Sequence, residues 1–191
     1  MKRISFILIA LIALAVGASA QAIAIGGTLD NFSLADSNGK SQSFSDLKGK
    51  NGTVVIFVST QCPIVRGYND RMNQIAMDYK AKGINVIGVN ANVTESAETV
   101  KQHSALTYKF PVLVDKQDML ADKLGATHTP EAYFFDAKNV LLYHGAIDND
   151  RSGRNVTESY LKSAFDASLA GKKVQRTFVE AFGCSIRRPG D

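Results

Sequence analysis

The feature that most constrains this chain is a cysteine at the point where a buried strand is predicted to pass into a helix. Residues 54–58 are an apolar, mostly β-branched run, typical of a strand covered on both faces. Cys62 follows, and Pro63 comes directly after it. Proline is favoured at the first position of a helix because it has no N–H to leave unpaired there. Cys62 is therefore the predicted N-cap residue, where free N–H groups and the helix dipole favour the thiolate.

The first twenty residues are predicted to be a cleaved secretory signal rather than part of the fold. Two basic residues precede an apolar run at residues 4–16, and residues 18–20 show the small-x-small pattern of a cleavage site. A membrane anchor needs about 20 apolar residues, more than this run contains. We therefore expect a periplasmic or secreted protein, free of the membrane after cleavage, in a compartment where disulfides persist.

Length and charge narrow the function further. A chain of 191 residues suits one domain with a substantial core. Its formal net charge is +4, and cleavage of the signal would remove two basic residues. Because the remainder is nearly neutral and has no basic cluster, the sequence predicts no nucleic-acid partner.

Strand and helix patterns alternate along the chain after residue 28. Two short alternating segments flank a turn-forming cluster at residues 36–40, which predicts a hairpin. Further strands are predicted at residues 53–58, 84–89, 112–114, 132–135 and 140–144, and helices at 63–82, from 94 or 96 to 108, at 118–124 and from about 157 to 171. The pattern indicates an α/β fold with a mixed central sheet and helices on both faces. The predicted domain spans residues 24–171, followed by a C-terminal tail at 172–191 that carries Cys184.

Several motifs, taken in order, resemble the thioredoxin-fold redoxins, most closely their peroxiredoxin-like, AhpC/TSA-type branch. They are Asp30, Phe32, Leu34, Asp36 and Gly39-Lys40, then residues 44–50, then Cys62-Pro63 with Tyr68 and Arg71 on the helix, Thr129-Pro130 before a strand, and residues 183–186 at the end. The resemblance covers nearly all of the predicted mature chain. It implies a thioredoxin-like fold with an N-terminal β-hairpin extension and an oxidoreductase without a cofactor.

The resemblance also gives Thr129 and Pro130 a role. In the thioredoxin fold the residue before a cis-proline faces the reactive sulfur and offers backbone groups to an incoming chain. Without the resemblance, an X-Pro bond is cis in only about 5–6% of cases in folded proteins. With it, we predict a cis bond between Thr129 and Pro130, and we assign both residues to substrate binding.

The chain departs from its relatives at two places. Thioredoxins use Cys-x-x-Cys, but here the fourth position is Val65, so no local thiol can resolve a mixed disulfide. Peroxiredoxins use Pro-x-x-x-Thr-x-x-Cys, and here Val55 and Ser59 stand at the Pro and Thr positions. The Ser59 hydroxyl is still a candidate hydrogen-bond donor to a peroxide.

Two arginines and one histidine are candidates for contacts with Cys62. Arg66 lies one helical turn after it, where the guanidinium can stabilise the thiolate or, alternatively, pair with Asp70 at i,i+4. Arg71 lies farther along the helix and suits a structural ion pair equally well. One cysteine with one nearby histidine, His128, makes a poor closed site, so no metal is predicted.

Cys184 has two possible roles. As a resolving cysteine it would attack an oxidised Cys62 and form an intramolecular disulfide that a thiol reductant then opens. As a permanent partner it would tie the tail to the domain. The first role predicts an antioxidant or thiol–disulfide oxidoreductase with Cys62 as nucleophile toward a peroxide or a protein disulfide. The second predicts a non-enzymatic thioredoxin-fold binding protein with a structural Cys62–Cys184 disulfide.

Overall fold

A computed structural model describes residues 21–191, so the signal predicted at residues 1–20 lies outside the described residues. The strands are β1 (Ser33–Asp36), β2 (Ser41–Ser43), β3 (Gly52–Phe57), β4 (Ile84–Asn90), β5 (Val112–Val114), β6 (His128–Thr129), β7 (Glu131–Asp136), β8 (Leu141–Gly145), β9 (Phe178–Val179) and β10 (Cys184–Ser185). The helices are α1 (Phe44–Leu47), α2 (Pro63–Lys80), α3 (Ala97–Thr107), α4 (Met119–Leu124) and α5 (Tyr160–Leu169). Within residues 21–191, the helices are too short or too polar to cross a membrane.

One sheet organises the molecule, with the strand order β2-β1-β5-β4-β3-β7-β8-β9. The central strands β3, β4 and β5 run parallel, while β7 and β8 return antiparallel beside β3. The hairpin of β1 and β2 joins the sheet through β5, which confirms the predicted N-terminal extension. The predicted α/β architecture with a mixed sheet is therefore confirmed.

The two faces of β3 supply the two halves of the core. Val54 and Ile56 point toward the cluster that contains α2 and α5, while Val55 and Phe57 point toward the cluster that contains α1 and α4. All six residues of β3 are buried, because helices cover the sheet on both sides. This double burial explains why the strand reads as a continuous apolar run rather than an alternating one.

Helix α2 begins as the sequence predicts. Cys62 is the N-cap residue, in extended conformation, and Pro63 is the first helical residue. Val65, Tyr68, Met72 and other residues at steps of three and four face the core. The fold therefore delivers Cys62 to the carboxyl end of β3, at the rim of the parallel strands.

The last helix starts later than the sequence predicts. Its first residue is Tyr160 rather than a residue near 157. The side chain of Asn149 accepts hydrogen bonds from the backbone N–H groups of Thr157 and Glu158, both at 3.0 Å. These contacts hold the preceding segment in a loop, so the helical period in the sequence overstates the helix by about one turn.

The tail after α5 returns to the sheet at two places. Strand β9 pairs parallel with β8, and β10 pairs antiparallel with β6 in a separate two-stranded sheet. The second pairing brings residue 184 across the sheet to the rim that holds Cys62.

Candidate functional site

Cys62 and Cys184 form a disulfide, with their Cα atoms 5.9 Å apart across 122 residues of sequence. Cys62 is 2% exposed, whereas Cys184 is only partly buried. Of the two pairing states that the sequence left open, the structure therefore holds the paired one.

The loop between β3 and α2 fixes the position of Cys62. The Oγ of Ser59 accepts hydrogen bonds from the backbone N–H groups of Gln61 and Cys62, each at 3.1 Å. The first-turn N–H groups of a helix have no acceptor within the helix, and Cys62 occupies the N-cap position beside them, although its side chain accepts no hydrogen bond from them in the disulfide state. Together with the helix dipole, these N–H groups favour a negative charge on the Cys62 sulfur.

A buried carboxylate supports this loop from below. Glu95, which is 1% exposed, accepts hydrogen bonds from Ser59 Oγ at 2.5 Å, the Thr60 N–H at 2.8 Å and Asn90 Nδ2 at 2.8 Å. Burial alone would raise the pKa of Glu95, but these hydrogen bonds outweigh it and hold the pKa below its usual value. Glu95 is therefore a fixed anion under the loop that presents Cys62.

The same network uses the hydrogen-bonding groups of the Ser59 hydroxyl. Its hydroxyl proton is donated to Glu95, and its oxygen already accepts two backbone N–H groups. Ser59 is buried, and its hydroxyl donates to Glu95 rather than to the Cys62 sulfur. Ser59 thus stands beside Cys62 as the sequence predicts, but in this state it positions the loop.

Thr129 and Pro130 lie directly against the disulfide. The bond between them is cis, which confirms the prediction. The carbonyl oxygen of Thr129 is 3.3 Å from the Cys62 sulfur. The Thr129 side chain donates a hydrogen bond through Oγ1 to the carbonyl oxygen of Cys184 at 3.4 Å. Their assignment to substrate binding remains a prediction.

Backbone pairing brings Cys184 to this place. In the antiparallel pair of β10 and β6, Cys184 lies opposite Thr129 and Ser185 lies opposite His128. The Ile186 N–H donates to the carbonyl oxygen of Thr127 at 2.9 Å, which extends the contact by one residue. The tail is therefore attached as a short β-strand, and the disulfide joins two segments that are already adjacent.

The segment that carries Thr129 has its own buried support. Glu131 accepts hydrogen bonds from the N–H groups of Thr127 at 2.9 Å and His128 at 3.1 Å through one oxygen, and from the Tyr133 hydroxyl at 2.7 Å through the other. Glu131 thus fixes the turn before the cis-proline. Neither Glu131 nor Glu95 was singled out from the sequence. The available signal was that Glu95 follows the carboxyl end of β4, next to the end of β3, where sites of α/β sheets lie.

The two arginines of α2, Arg66 and Arg71, make different contacts. Arg66 is exposed, and among residues 21–191 it forms no ion pair with Asp70. Arg71 donates to the buried carboxylate of Asp148 at 2.5 Å and lies over the ring of Tyr68 at 3.6 Å. Arg71 is therefore a structural ion-pair residue, while Arg66 remains a predicted contributor to substrate binding.

His128 makes a local contact rather than a site. Its Nδ1 lies 2.8 Å from the hydroxyl of Thr127. Within the described part of the chain, no group of three or more His, Cys, Asp or Glu side chains is arranged to hold a metal ion.

Comparisons with known proteins agree with this geometry. The sequence profile of the AhpC/TSA family matches residues 25–144. Among curated proteins, the thiol-disulfide oxidoreductase ResA of Bacillus thuringiensis is 31% identical over 140 residues, which covers 72% of this chain and 77% of that protein. A hypothetical protein from Sinorhizobium meliloti has a solved structure that is 32% identical, with a TM-score of 0.80, and covers 90% of this chain and 98% of its own.

A third comparison concerns the fold alone. A putative thiol:disulfide interchange protein DsbE from Chlorobium tepidum is 21% identical, with a TM-score of 0.65, and the match covers 78% of this chain and 99% of that one. The predicted thioredoxin-like fold is confirmed by this similarity.

Proposed function

The chain belongs to the AhpC/TSA family and is a thiol-dependent oxidoreductase, and we propose that Cys62 is its nucleophile and Cys184 its resolving cysteine. The observation that carries the proposal is the Cys62–Cys184 disulfide at the N-terminus of α2, against the carbonyl oxygen of Thr129. A helix terminus favours the thiolate form that thiol–disulfide exchange requires.

The proposed substrate is a protein disulfide. In the reduced protein the Cys62 thiolate attacks one sulfur of the substrate, forms a mixed disulfide and releases the other substrate sulfur as a thiolate. The Cys184 thiolate then attacks the Cys62 sulfur, forms the Cys62–Cys184 disulfide and releases the second substrate thiolate. The substrate has gained two electrons, and a thiol reductant returns the pair to the dithiol form. Position 65 holds valine instead of the second cysteine of a Cys-x-x-Cys motif, and Cys184 in the tail takes over the role of that cysteine.

A peroxide is the second candidate substrate, because the resolving sulfur already lies within bonding distance of Cys62. The thiolate would attack the O–O bond, giving a sulfenic acid and an alcohol or water. Cys184 would then displace water from the sulfenic acid and form the same disulfide. Against this candidate, Ser59 donates its proton to Glu95 and Arg71 pairs with Asp148, so both side chains are engaged elsewhere.

Three further features belong to the proposal. We place the protein outside the cytoplasm, in the periplasm or as a secreted protein, with residues 1–20 as its signal. We treat residues 24–171 as the redoxin domain and residues 172–191 as a tail that completes the site. Once β10 leaves β6 in the reduced protein, Thr129 and Pro130 offer the backbone surface for the substrate chain, with Arg66 and Ser59 beside it.

The test compares two oxidants on the reduced purified protein. Stoichiometric hydrogen peroxide or a disulfide-bonded protein is added, and both cysteines are followed by mass spectrometry. Disulfide exchange predicts that Cys184→Ser accumulates a mixed disulfide at Cys62, while Cys62→Ser forms none. Peroxide chemistry instead predicts a sulfenic acid at Cys62 in the same variant. A disulfide that resists mild dithiol reductants, or a Cys62 that reacts with neither oxidant, would support the structural-disulfide alternative and reject the proposal.

A further inference from the structure

The two cysteines of the disulfide differ in exposure, and this difference assigns a direction to electron flow. Cys62 is 2% exposed, and Cys184 is partly exposed in its short strand. We propose that the reducing thiol attacks the sulfur of Cys184, so that Cys62 is the leaving thiolate. This inference rests on the proposed function, since it applies to a disulfide that is reduced and re-formed.

The surroundings of Cys62 obstruct attack on its sulfur. A thiolate approaches a disulfide along the S–S axis, on the far side of the sulfur that it attacks. Cys62 is buried in the apolar cluster that includes Val65 and Tyr68 of α2, and Cys184 packs only at its margin as a partly buried residue. The Thr129 carbonyl oxygen lies 3.3 Å from its sulfur and would repel an incoming anion. A negatively charged nucleophile therefore meets apolar side chains and a carbonyl oxygen at Cys62 while the pair is oxidised.

The tail covers the cis-proline segment beside Cys62. Gly183 packs so closely on the Thr129–Pro130 peptide that a Cβ there would overlap the carbonyl oxygen of Thr129. Strand β10 thereby occupies the edge of β6, the kind of edge to which an extended partner chain adds by β-augmentation. While the tail is in place, a partner chain cannot pair with this edge of β6, and Cys184 is the more exposed cysteine of the disulfide.

The better leaving group is also Cys62. Thiol–disulfide exchange is faster when the departing thiolate is the more stable one. Cys62 caps an 18-residue helix, whose N-terminal N–H groups and dipole stabilise an anion. Cys184 lies in a two-residue strand with no helix terminus of its own. The greater exposure of Cys184 and the greater stability of the Cys62 thiolate therefore both favour attack on the Cys184 sulfur.

The steps balance with a dithiol donor. One donor thiolate attacks the Cys184 sulfur, which forms a donor–Cys184 disulfide and releases Cys62 as a thiolate. The second donor thiolate attacks its own half of this mixed disulfide and releases the Cys184 thiolate, so two electrons have passed to the chain. Between the steps the tail stays attached, because the Arg187 N–H donates to Asn92 Oδ1 at 2.9 Å and the Val93 N–H donates to the carbonyl oxygen of Arg187 at 3.1 Å.

The donor and the substrate then use different sulfurs of one pair. Electrons enter at Cys184 from a dithiol protein and leave through Cys62 to the oxidant. A partner that fits the entry side presents an exposed nucleophilic cysteine to a short edge strand. Such a partner does not need to reach the buried Cys62.

Trapping the intermediate tests this direction. The oxidised full chain is mixed with a thioredoxin whose second active-site cysteine is replaced by serine, quenched with acid at early times, alkylated and digested. We expect at least ten-fold more thioredoxin on Cys184 than on Cys62, with Cys62 carrying the alkyl group. Adducts mainly on Cys62, equal adducts on both, or reduction without an adduct on Cys184 would overturn the inference.

A parallel measurement with dithiothreitol separates this inference from the proposed function. If dithiothreitol reduces the pair but thioredoxin is trapped on Cys62, only the direction of entry is wrong. If dithiothreitol leaves the pair intact in the folded protein, the cycling pair itself is wrong.

Discussion

The Ser59 hydroxyl donates a hydrogen bond to the buried carboxylate of Glu95 at 2.5 Å, directly beneath the loop that carries Cys62. The same Ser59 oxygen accepts the Cys62 N–H, so a chain of two hydrogen bonds connects the anion to the backbone of the proposed nucleophile. The position of Cys62 at the helix terminus thus depends on a side chain from the next strand-to-helix connection. Changes at Glu95 should therefore affect both stability and the placement of the sulfur.

We predict that Glu95→Gln lowers the free energy of unfolding at pH 7 by about 1–3 kcal/mol, the cost of poorly satisfied buried polar groups. The effect depends on pH, because hydrogen bonds hold the Glu95 pKa below its usual value despite burial. The charged carboxylate stabilises the folded state above the ordinary glutamate pKa of about 4.3, and this contribution is lost as the pH falls through the lower folded-state pKa. Urea unfolding at a series of pH values from 7 to 3 measures it.

The difference in unfolding free energy between wild type and Glu95→Gln reports on Glu95 alone, because all other acidic residues are the same in both proteins. Hydrogen bonds from Gln42 and Ser152 also lower the pKa values of Asp36 and Asp150, but these groups are present in both proteins. The gap between wild type and Glu95→Gln should therefore shrink as the pH falls. A gap that stays constant from pH 7 to pH 3 would contradict the assigned charge state.

A second prediction concerns Gly183. Its replacement by alanine would place a Cβ on the carbonyl oxygen of Thr129, so β10 must move away from β6. We expect reduced Gly183→Ala to form the Cys62–Cys184 disulfide at least ten-fold more slowly with oxidised dithiothreitol, although both thiols are retained. Quenched-flow alkylation followed by mass spectrometry measures the rate.

Gly67→Ala is the matched control for this change. A Cβ at Gly67 meets only the carbonyl oxygen of Arg151, at 3.4 Å, and alanine favours the helical interior that it occupies. It should close the disulfide at the wild-type rate. Equal rates in both alanine variants would show that pairing of the tail with β6 does not control disulfide formation.

A third prediction addresses the ion pair of Arg71 with Asp148. The Asp148 side chain is 4% exposed, and removing its cationic partner leaves a buried, uncompensated charge. We expect Arg71→Ala to lower the unfolding free energy by about 3 kcal/mol, as for other broken buried pairs. In the variant that remains folded, iodoacetamide should alkylate reduced Cys62 at the wild-type rate, since Arg71 acts on structure.

Arg176→Ala provides the comparison for an exposed pair. Arg176 and Glu158 are both more than half exposed, so the loss of their contact should cost less than about 1 kcal/mol. A slower alkylation of Cys62 in Arg71→Ala, but not in Arg176→Ala, would instead assign Arg71 to the reactive site.

The parts of the fold that local patterns determine were predictable from sequence. A doubly buried strand, a cysteine and a proline sufficed to place Cys62 at the N-terminus of α2, because each feature acts over a few residues. The late start of α5 was not predictable, since Asn149 holds residues 157 and 158 from across a loop. A side-chain contact of this kind leaves no periodic signal.

Apart from Cys62, which the local pattern located, the contacts at the candidate site were predictable only where the resemblance supplied positions. Thr129 and Pro130 were found in this way, and their cis bond is confirmed. The pairing of Cys184 with Cys62 stayed open, because β10 and β6 are two residues long and 55 residues apart in sequence. Glu95 and Glu131 were missed, since a single acid in a connection normally faces solvent and burial is decided by tertiary contacts.

The last prediction concerns the contribution of the disulfide to stability. Closing a loop of 122 residues removes entropy from the unfolded chain, which corresponds to about 4–5 kcal/mol in the chain-entropy model. We expect oxidised wild type to exceed both reduced wild type and Cys184→Ser in unfolding free energy by up to this amount. Urea unfolding with and without a reductant measures the difference, and Cys184→Ser should be insensitive to the reductant.

The reduced protein must nevertheless stay folded if the pair cycles. Its core clusters are built by β3, β7, α2 and α5, and contacts such as Phe134 with Phe165, at 4.6 Å between ring centroids, do not involve the tail. Circular dichroism of reduced wild type should therefore match that of the oxidised protein at 25 °C. A chain that unfolds on reduction would mean that the disulfide holds the fold together, and a bond with that role could not be opened in every catalytic cycle.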